Sequence, residues 1–247
     1  MNETHGSGHH QMHGAPGGLA TTADGLTLET DWIAAGNDEG RSGTLGFRIL
    51  GPDGEPVRDF DEQHGRAMHL MVARRDLAHY RHLHPRMDAE GTWSSPMTFP
   101  EPGIYRVFAD FAKAGRGVTL GKDLEVPGHY EPTPLPAPSG AVRTDGYSVA
   151  LDAEVHAGVH ASLEFGVSRE GRGVDNLEPY LGALGHLVAL REGDLAFLHV
   201  HPEDEEGSGP RIAFRAAFPS EGRYRLFLQF AHANEVHTAA FTVEVEQ

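Results

Sequence analysis

Two three-histidine patterns recur along the chain at identical internal spacing: His69 with His82 and His84, and His186 with His199 and His201. Neutral imidazole is the commonest protein metal ligand, and three such rings on one ion suit copper(II), zinc, nickel or iron(II). In HLHP (82–85) and HVHP (199–202) the histidines stand at i and i+2, which on a strand places both on one side. His69 and His186 open the apolar runs HLMVA and HLVAL just upstream. The short turns in ARRDLAH and REGDLA fold each run back antiparallel, so the third imidazole is expected beside the other two. Imidazole binds metal only when deprotonated, so affinity is expected to fall as pH drops through about 6.5.

Further donors lie nearby. His64 and Met68 precede His69, and His232 and His237 flank the turn AHANEVHT. Their counterparts in the other copy are Leu181, Gly185, Lys113 and Val118, so the two sites are expected to differ. The N-terminal His5, His9, His10, Met12 and His13 have the character of a low-complexity segment that scavenges copper or nickel, with an expression tag as the bland alternative. A bland reading also exists for the strand histidines, since a His-X-His before proline can simply hydrogen-bond loop backbone. His156 and His160 have helical zinc-pair spacing, but glycine and a β pattern around them make them surface residues. Asp110 is a carboxylate on a strand near the first cluster; its counterpart, Gln229, cannot ionise, so no acid is duplicated. No nucleophile elbow or phosphate loop occurs, and the chain is read as non-enzymatic.

The elements that must carry these residues are repeated. AMHLMVARRDLAHYRHLHP at 67–85 lies over LGHLVALREGDLAFLHVHP at 184–202 without a gap, an offset of 117. MTFPEPGIYRVFADF at 97–111 matches AAFPSEGRYRLFLQF at 216–230 at an offset of 119, with the extra residues in the loop EDEEGSGP. Short β-branched and aromatic runs alternate with Gly, Pro, Asp and Asn, and helical periodicity is missing. The expected fold is all-β: two tandem immunoglobulin-like or cupredoxin-like antiparallel β-sandwich domains. Residues 1–20 are read as a disordered tail, 21–126 as the first domain, 127–142 as a proline-rich, semi-rigid linker and 143–247 as the second domain.

Charge narrows the partners. With 36 acidic against 20 basic residues the formal charge is −16, which repels nucleic acid and anionic lipid and favours cations. Seventeen histidines and no cysteine in 247 residues point to imidazole sites and exclude thiolate zinc centres and disulfides. No run reaches the roughly 20 apolar residues needed to span a bilayer. The reading is a secreted, periplasmic or cell-surface protein, its leader or anchor removed, that sequesters or delivers copper, with zinc or nickel as other candidates. The expected partners are the metal ion and a copper transporter or other metal-handling protein. A cupin-like oxygenase, suggested by HLHPRMDAEG with Asp88 and Glu90, and a structural or adhesion module are the alternatives.

The segments MHLMVARRDLAHYRHLHP with FPEPGIYRVFADF, and YLGALGHLVALREGDLAFLHVHP with FPSEGRYRLFLQF, resemble bacterial secreted or lipid-anchored proteins associated with copper and heavy metals. The resemblance covers both domains and excludes the tail and linker. It implies metal handling by His69, His82 and His84 in one copy and by His186, His199 and His201 in the other, and departs only at Gly185 opposite Met68.

Overall fold

Alternation of small polar and large apolar residues decides most of the strands. Trp93–Thr98 reads buried, exposed, buried along its whole length, because one face packs on a core and the other meets water. In the computed structural model the described residues are 16–34, 41–203 and 208–247, with the side chain of His199 left out, and among them the regular elements are all strands. The first repeat holds β1 (Thr22–Ala23), β2 (Leu26–Ala34), β3 (Ser42–Leu50), β4 (His69–Arg74), β5 (Arg81–Leu83), β6 (Arg86–Met87), β7 (Trp93–Thr98), β8 (Gly103–Lys113) and β9 (Arg116–Val126). The second holds β10 (Ala141–Thr144), β11 (Tyr147–Asp152), β12 (His160–Arg169), β13 (Arg172–Gly173), β14 (Gly185–Arg191), β15 (Phe197–His199), β16 (His201–Pro202), β17 (Arg211–Ala217), β18 (Gly222–His232) and β19 (Glu235–Val245).

Each repeat is an antiparallel, immunoglobulin-like sandwich of the same topology. The sheets β1-β2-β3-β7-β6 and β5-β4-β8-β9 recur as β10-β11-β12-β17-β16 and β15-β14-β18-β19, with β13 added beside β12. Register repeats as well. Met71 faces His82 across β4 and β5, as Val188 faces His199 across β14 and β15; His69 faces Asp110 and His186 faces Gln229. Each sandwich encloses its own core, around Leu28, Phe47, Trp93 and Phe111 in the first repeat and Val149, Phe165, Phe214 and Phe241 in the second.

A third core lies between the repeats. It is built from Met71, Ala73, Leu77, Tyr80 and Phe108 of the first and Val188, Leu190, Leu195, Phe197 and Phe227 of the second. Tyr80 stacks on Phe227 at 4.0 Å, and the equivalent pair with the repeats exchanged, Phe197 and Phe108, lies at 5.7 Å. Contacts that recur when the partners are swapped define an isologous, pseudo-two-fold interface. This explains β4, which is buried at all six positions: its inner face meets the sandwich core and its outer face the other repeat, so its middle, Leu70 to Ala73, is continuously apolar rather than alternating.

Two segments tie the repeats together. Residues 17–20, assigned to the disordered tail by composition, are instead bound at the seam. Gly17 O accepts from Phe197 N of the second repeat, Gly18 N donates to Thr119 O of the first, and Ala20 O accepts from Gly121 N. The buried Arg106 guanidinium donates to Gly18 O and Leu19 O. Glycine is required here: a Cβ on Gly18, whose φ is +71°, would meet the Phe108 ring at 2.5 Å. Composition misses this, because the segment contributes backbone rather than side chains. The proline-rich linker is also pinned, with Thr133 N and Oγ1 bonded to Asp76 and Arg74 and Leu135 packed on the seam core.

Candidate metal centre

Strand parity places the cluster. On β4, Leu70 and Val72 enter the first core, so His69, Met71 and Ala73 point outward to the seam. His82, opposite Met71 on β5, shares that face, and His84 follows where the chain leaves β5 for the other sheet. His69, His82 and His84 each offer a ring nitrogen, and these atoms all lie within 4.8 Å of one another. Ring centroids are 5.2 Å apart for His69 and His82, 5.3 Å for His69 and His84, and 4.8 Å for His82 and His84.

The oxygen atoms facing the rings favour one tautomer for each. His69 Nε2 lies 2.9 Å from the backbone oxygen of Gln63, which only accepts, so Nε2 carries the proton and Nδ1 the lone pair. His82 Nδ1 donates to Gln229 Oε1 at 2.6 Å, leaving the lone pair on His82 Nε2. His69 Nδ1 and His82 Nε2 face each other at 3.0 Å, and in those tautomers both carry a lone pair. Two lone pairs at that distance repel unless a proton or a metal cation lies between them. Protonation is opposed: burial pushes the His82 pKa down to about 3, against a smaller opposite effect of the Gln229 bond. Burial likewise pushes His84 down to about 4, with the His69 and Arg66 charges adding to it. Two imidazoles on one ion, with bonds of about 2 Å at near-tetrahedral angles, hold their nitrogens roughly 3 to 3.5 Å apart. The His84 Nε2 atom is buried and without a hydrogen-bond partner among the described residues. The donor set therefore fits a metal ion, with Gln63 O and Gln229 as the outer partners that fix ring orientation.

The second repeat reaches the same place. His186, on the seam face of β14, has its ring centroid 4.6 Å from His82, 5.7 Å from His69 and 6.1 Å from His64. Asp110, beside His69 on β8, is buried; burial raises its pKa to about 6, opposed by the 2.6 Å bond from the Thr119 hydroxyl.

Among the described residues, the placement departs from one cluster per domain. The His186 ring lies beside those of His69 and His82 but outside the group whose nitrogens lie within 4.8 Å, while His201 is exposed on β16, which pairs with β17 in the opposite sheet. The His199 backbone is on β15 facing Val188, and its side chain lies outside the described residues. His64 is half-buried at the rim, 6.1 Å from the His69 ring. Met68 is not available to the cluster: it is 1% exposed inside the first sandwich core, on the opposite side from His69. His232 and His237 also face away from the seam, since Phe227 and Gln229 occupy the seam face of β18 and Phe230 the core face. They form a separate group, His232 with Tyr147 Oη and Asn176, His237 with Asp145. His5, His9, His10, Met12 and His13 lie outside the described residues. Asp88, one of the two carboxylates of the cupin-like pattern, caps the turn after β6 by accepting from Glu90 N and Thr92 N. Sequence reasoning missed Gln63 and the role of Gln229. The register match of Gln229 to Asp110 was visible, but not that the two sheets face each other.

A family model described as Domain of unknown function (DUF8832) matches residues 21–128 and again 141–247. The chain belongs to this family. It carries two DUF8832 copies, and the segment between the matches contains the linker pinned by Asp76. No curated protein matches the DUF8832 chain in sequence. Among solved structures it is similar to a chimeric titin Z1Z2 tandem at 18% identity, covering 83% of this chain and 90% of that one with a TM-score of 0.22. It is also similar to domains 4 and 5 of the S-layer protein SbsC, at 13% identity, 90% and 98% coverage and a TM-score of 0.26. A third match is the bacterial integrin-binding protein invasin, at 12% identity, 89% and 39% coverage and a TM-score of 0.26. These scores are too low to add to the fold assignment, which rests on the strand order and cores.

Proposed function

We propose that this DUF8832 protein binds a transition-metal ion, copper first among the candidates, outside the cytoplasm and without turnover, through His69, His82 and His84. The supporting observation is the convergence of His69, His82 and His84, whose offered ring nitrogens all lie within 4.8 Å of one another. Copper ranks above zinc and nickel because nitrogen donors bind copper(II) most tightly among the divalent first-row metals. A sequestering or delivering role, with a metal-transport partner, fits a seam site on a strongly acidic protein. The test is calorimetric titration of the full chain with copper(II) and zinc(II), beside His82→Ala and His84→Ala. Tight one-to-one binding weakened at least tenfold by either substitution is expected. Binding unchanged by both substitutions, or none in the parent protein, overturns the reading and leaves the histidines as structural residues.

A further inference from the structure

We propose that the ion is shared between the two repeats, with His186 as a fourth nitrogen donor, so that metal loading clamps the second repeat onto the first. This rests on the metal-binding reading above and adds that the site is complete only when the repeats are docked. Ring geometry carries it. Imidazoles bound to one ion at about 2 Å, at angles from roughly 90° to 130°, have centroids about 4.5 to 6 Å apart. The three first-repeat pairs, at 5.2, 5.3 and 4.8 Å, fall in that window. So do His82 with His186 at 4.6 Å and His69 with His186 at 5.7 Å, although His186 belongs to the other domain; it stands outside the three histidines whose nitrogens lie mutually within 4.8 Å, so its ring must close on the ion as the metal binds.

A second, independent contact crosses at the same point. Gln229, facing His186 across β14 and β18, accepts from His82 Nδ1 and so sets which His82 nitrogen is offered to the ion. Undocking the repeats would remove one donor and release the tautomer of another. The cluster shares the seam face with Met71 and Val188, so the ion would sit at the margin of an apolar interface. A ligand that binds the docked arrangement better than the undocked one stabilises it by the difference in affinity, and docking raises metal affinity by the same factor.

The experiment uses the full chain with copper(II) and zinc(II) chloride as probes. His186→Ala, and His186→Gln as a control that keeps a polar side chain of similar reach, are titrated beside His82→Ala and followed by hydrogen exchange. Expected results are a loss of affinity of at least tenfold in both His186 variants, and metal-dependent slowing of exchange in β4, β5 and β14 of the parent protein. In the His186 variants the slowing should persist in β4 and β5 and vanish in β14. If His82→Ala abolishes binding while both His186 variants bind as the parent does and slowing stays in the first repeat, the clamp is wrong and the first-repeat site stands. If the parent binds no metal, both readings fall.

Discussion

At the scale of residues, the cluster's chemistry is governed by burial rather than by histidine content. An ordinary imidazole has a pKa near 6.5, whereas the folded protein holds His82 at about 3 and His84 at about 4. Between those values the folded chain binds fewer protons than the unfolded one, so the metal-free protein loses stability as pH falls from about 6.5 towards 3. The same depression protects metal binding. Three ordinary imidazoles would each surrender roughly 25-fold in affinity between pH 7 and pH 5. His82 and His84 should surrender almost nothing, so titrations at the two pH values should differ by far less than the roughly four orders of magnitude otherwise expected. A full loss at pH 5 would mean that the site opens to water. This differs from the expectation of weakening at about 6.5, which took the unperturbed imidazole value without burial. The tautomers, too, were illegible in the sequence, because the partners that set them, Gln63 O and Gln229 Oε1, come from a loop and from the other repeat.

At the scale of elements, the strands and their duplication were readable because alternation and turn residues are local signals. The gapless alignment of the two hairpins nevertheless conceals a slip. Their strands pair at an offset of 117, yet the turns match one residue further on, since Arg74 binds Asp76, which caps Ala78 N, while Arg191 binds Asp194, which caps Ala196 N. Leu77 and Leu195, each following the capping aspartate, both take positive φ, 65° and 61°, and both enter the seam core. Tyr80 is the informative side chain next to that turn. Its ring stacks on Phe227, so Tyr80→Ala should destabilise the protein by about 3 to 5 kcal/mol. Its hydroxyl is buried without a hydrogen-bond partner among the described residues, so Tyr80→Phe should leave stability unchanged or raise it. Denaturant unfolding of the two variants decides; equal destabilisation would show that the hydroxyl has a partner, such as an ordered water.

At the scale of the whole molecule, the sequence gives two sandwiches but not their docking, because a seam between repeats leaves no periodic signature beyond strands that are apolar on both faces. The N-terminal strap makes the docking testable. Removing residues 1–15 should leave thermal stability intact. Removing residues 1–20 takes away the backbone bonds to Phe197, Thr119 and Gly121 and two acceptors of Arg106, which keeps Asp123. Stranding that buried donor costs on the order of 1 to 3 kcal/mol, a drop of at least about 2 °C for a chain of this size. Equal melting temperatures for the two truncations would show that the strap contributes nothing to docking.

The swapped pairs Tyr80 with Phe227 and Phe197 with Phe108 have one more consequence. In a homodimer, whatever one subunit presents at the axis the other must present as well, so every substitution there is made twice. Two halves joined in one polypeptide escape that rule. At one matched position this chain sets a buried acid, Asp110, and at the other a neutral amide, Gln229; it sets His64 against Leu181. The junction thus has a handed chemistry that no pair of identical subunits could give it, and each side can change by single mutations without the other following.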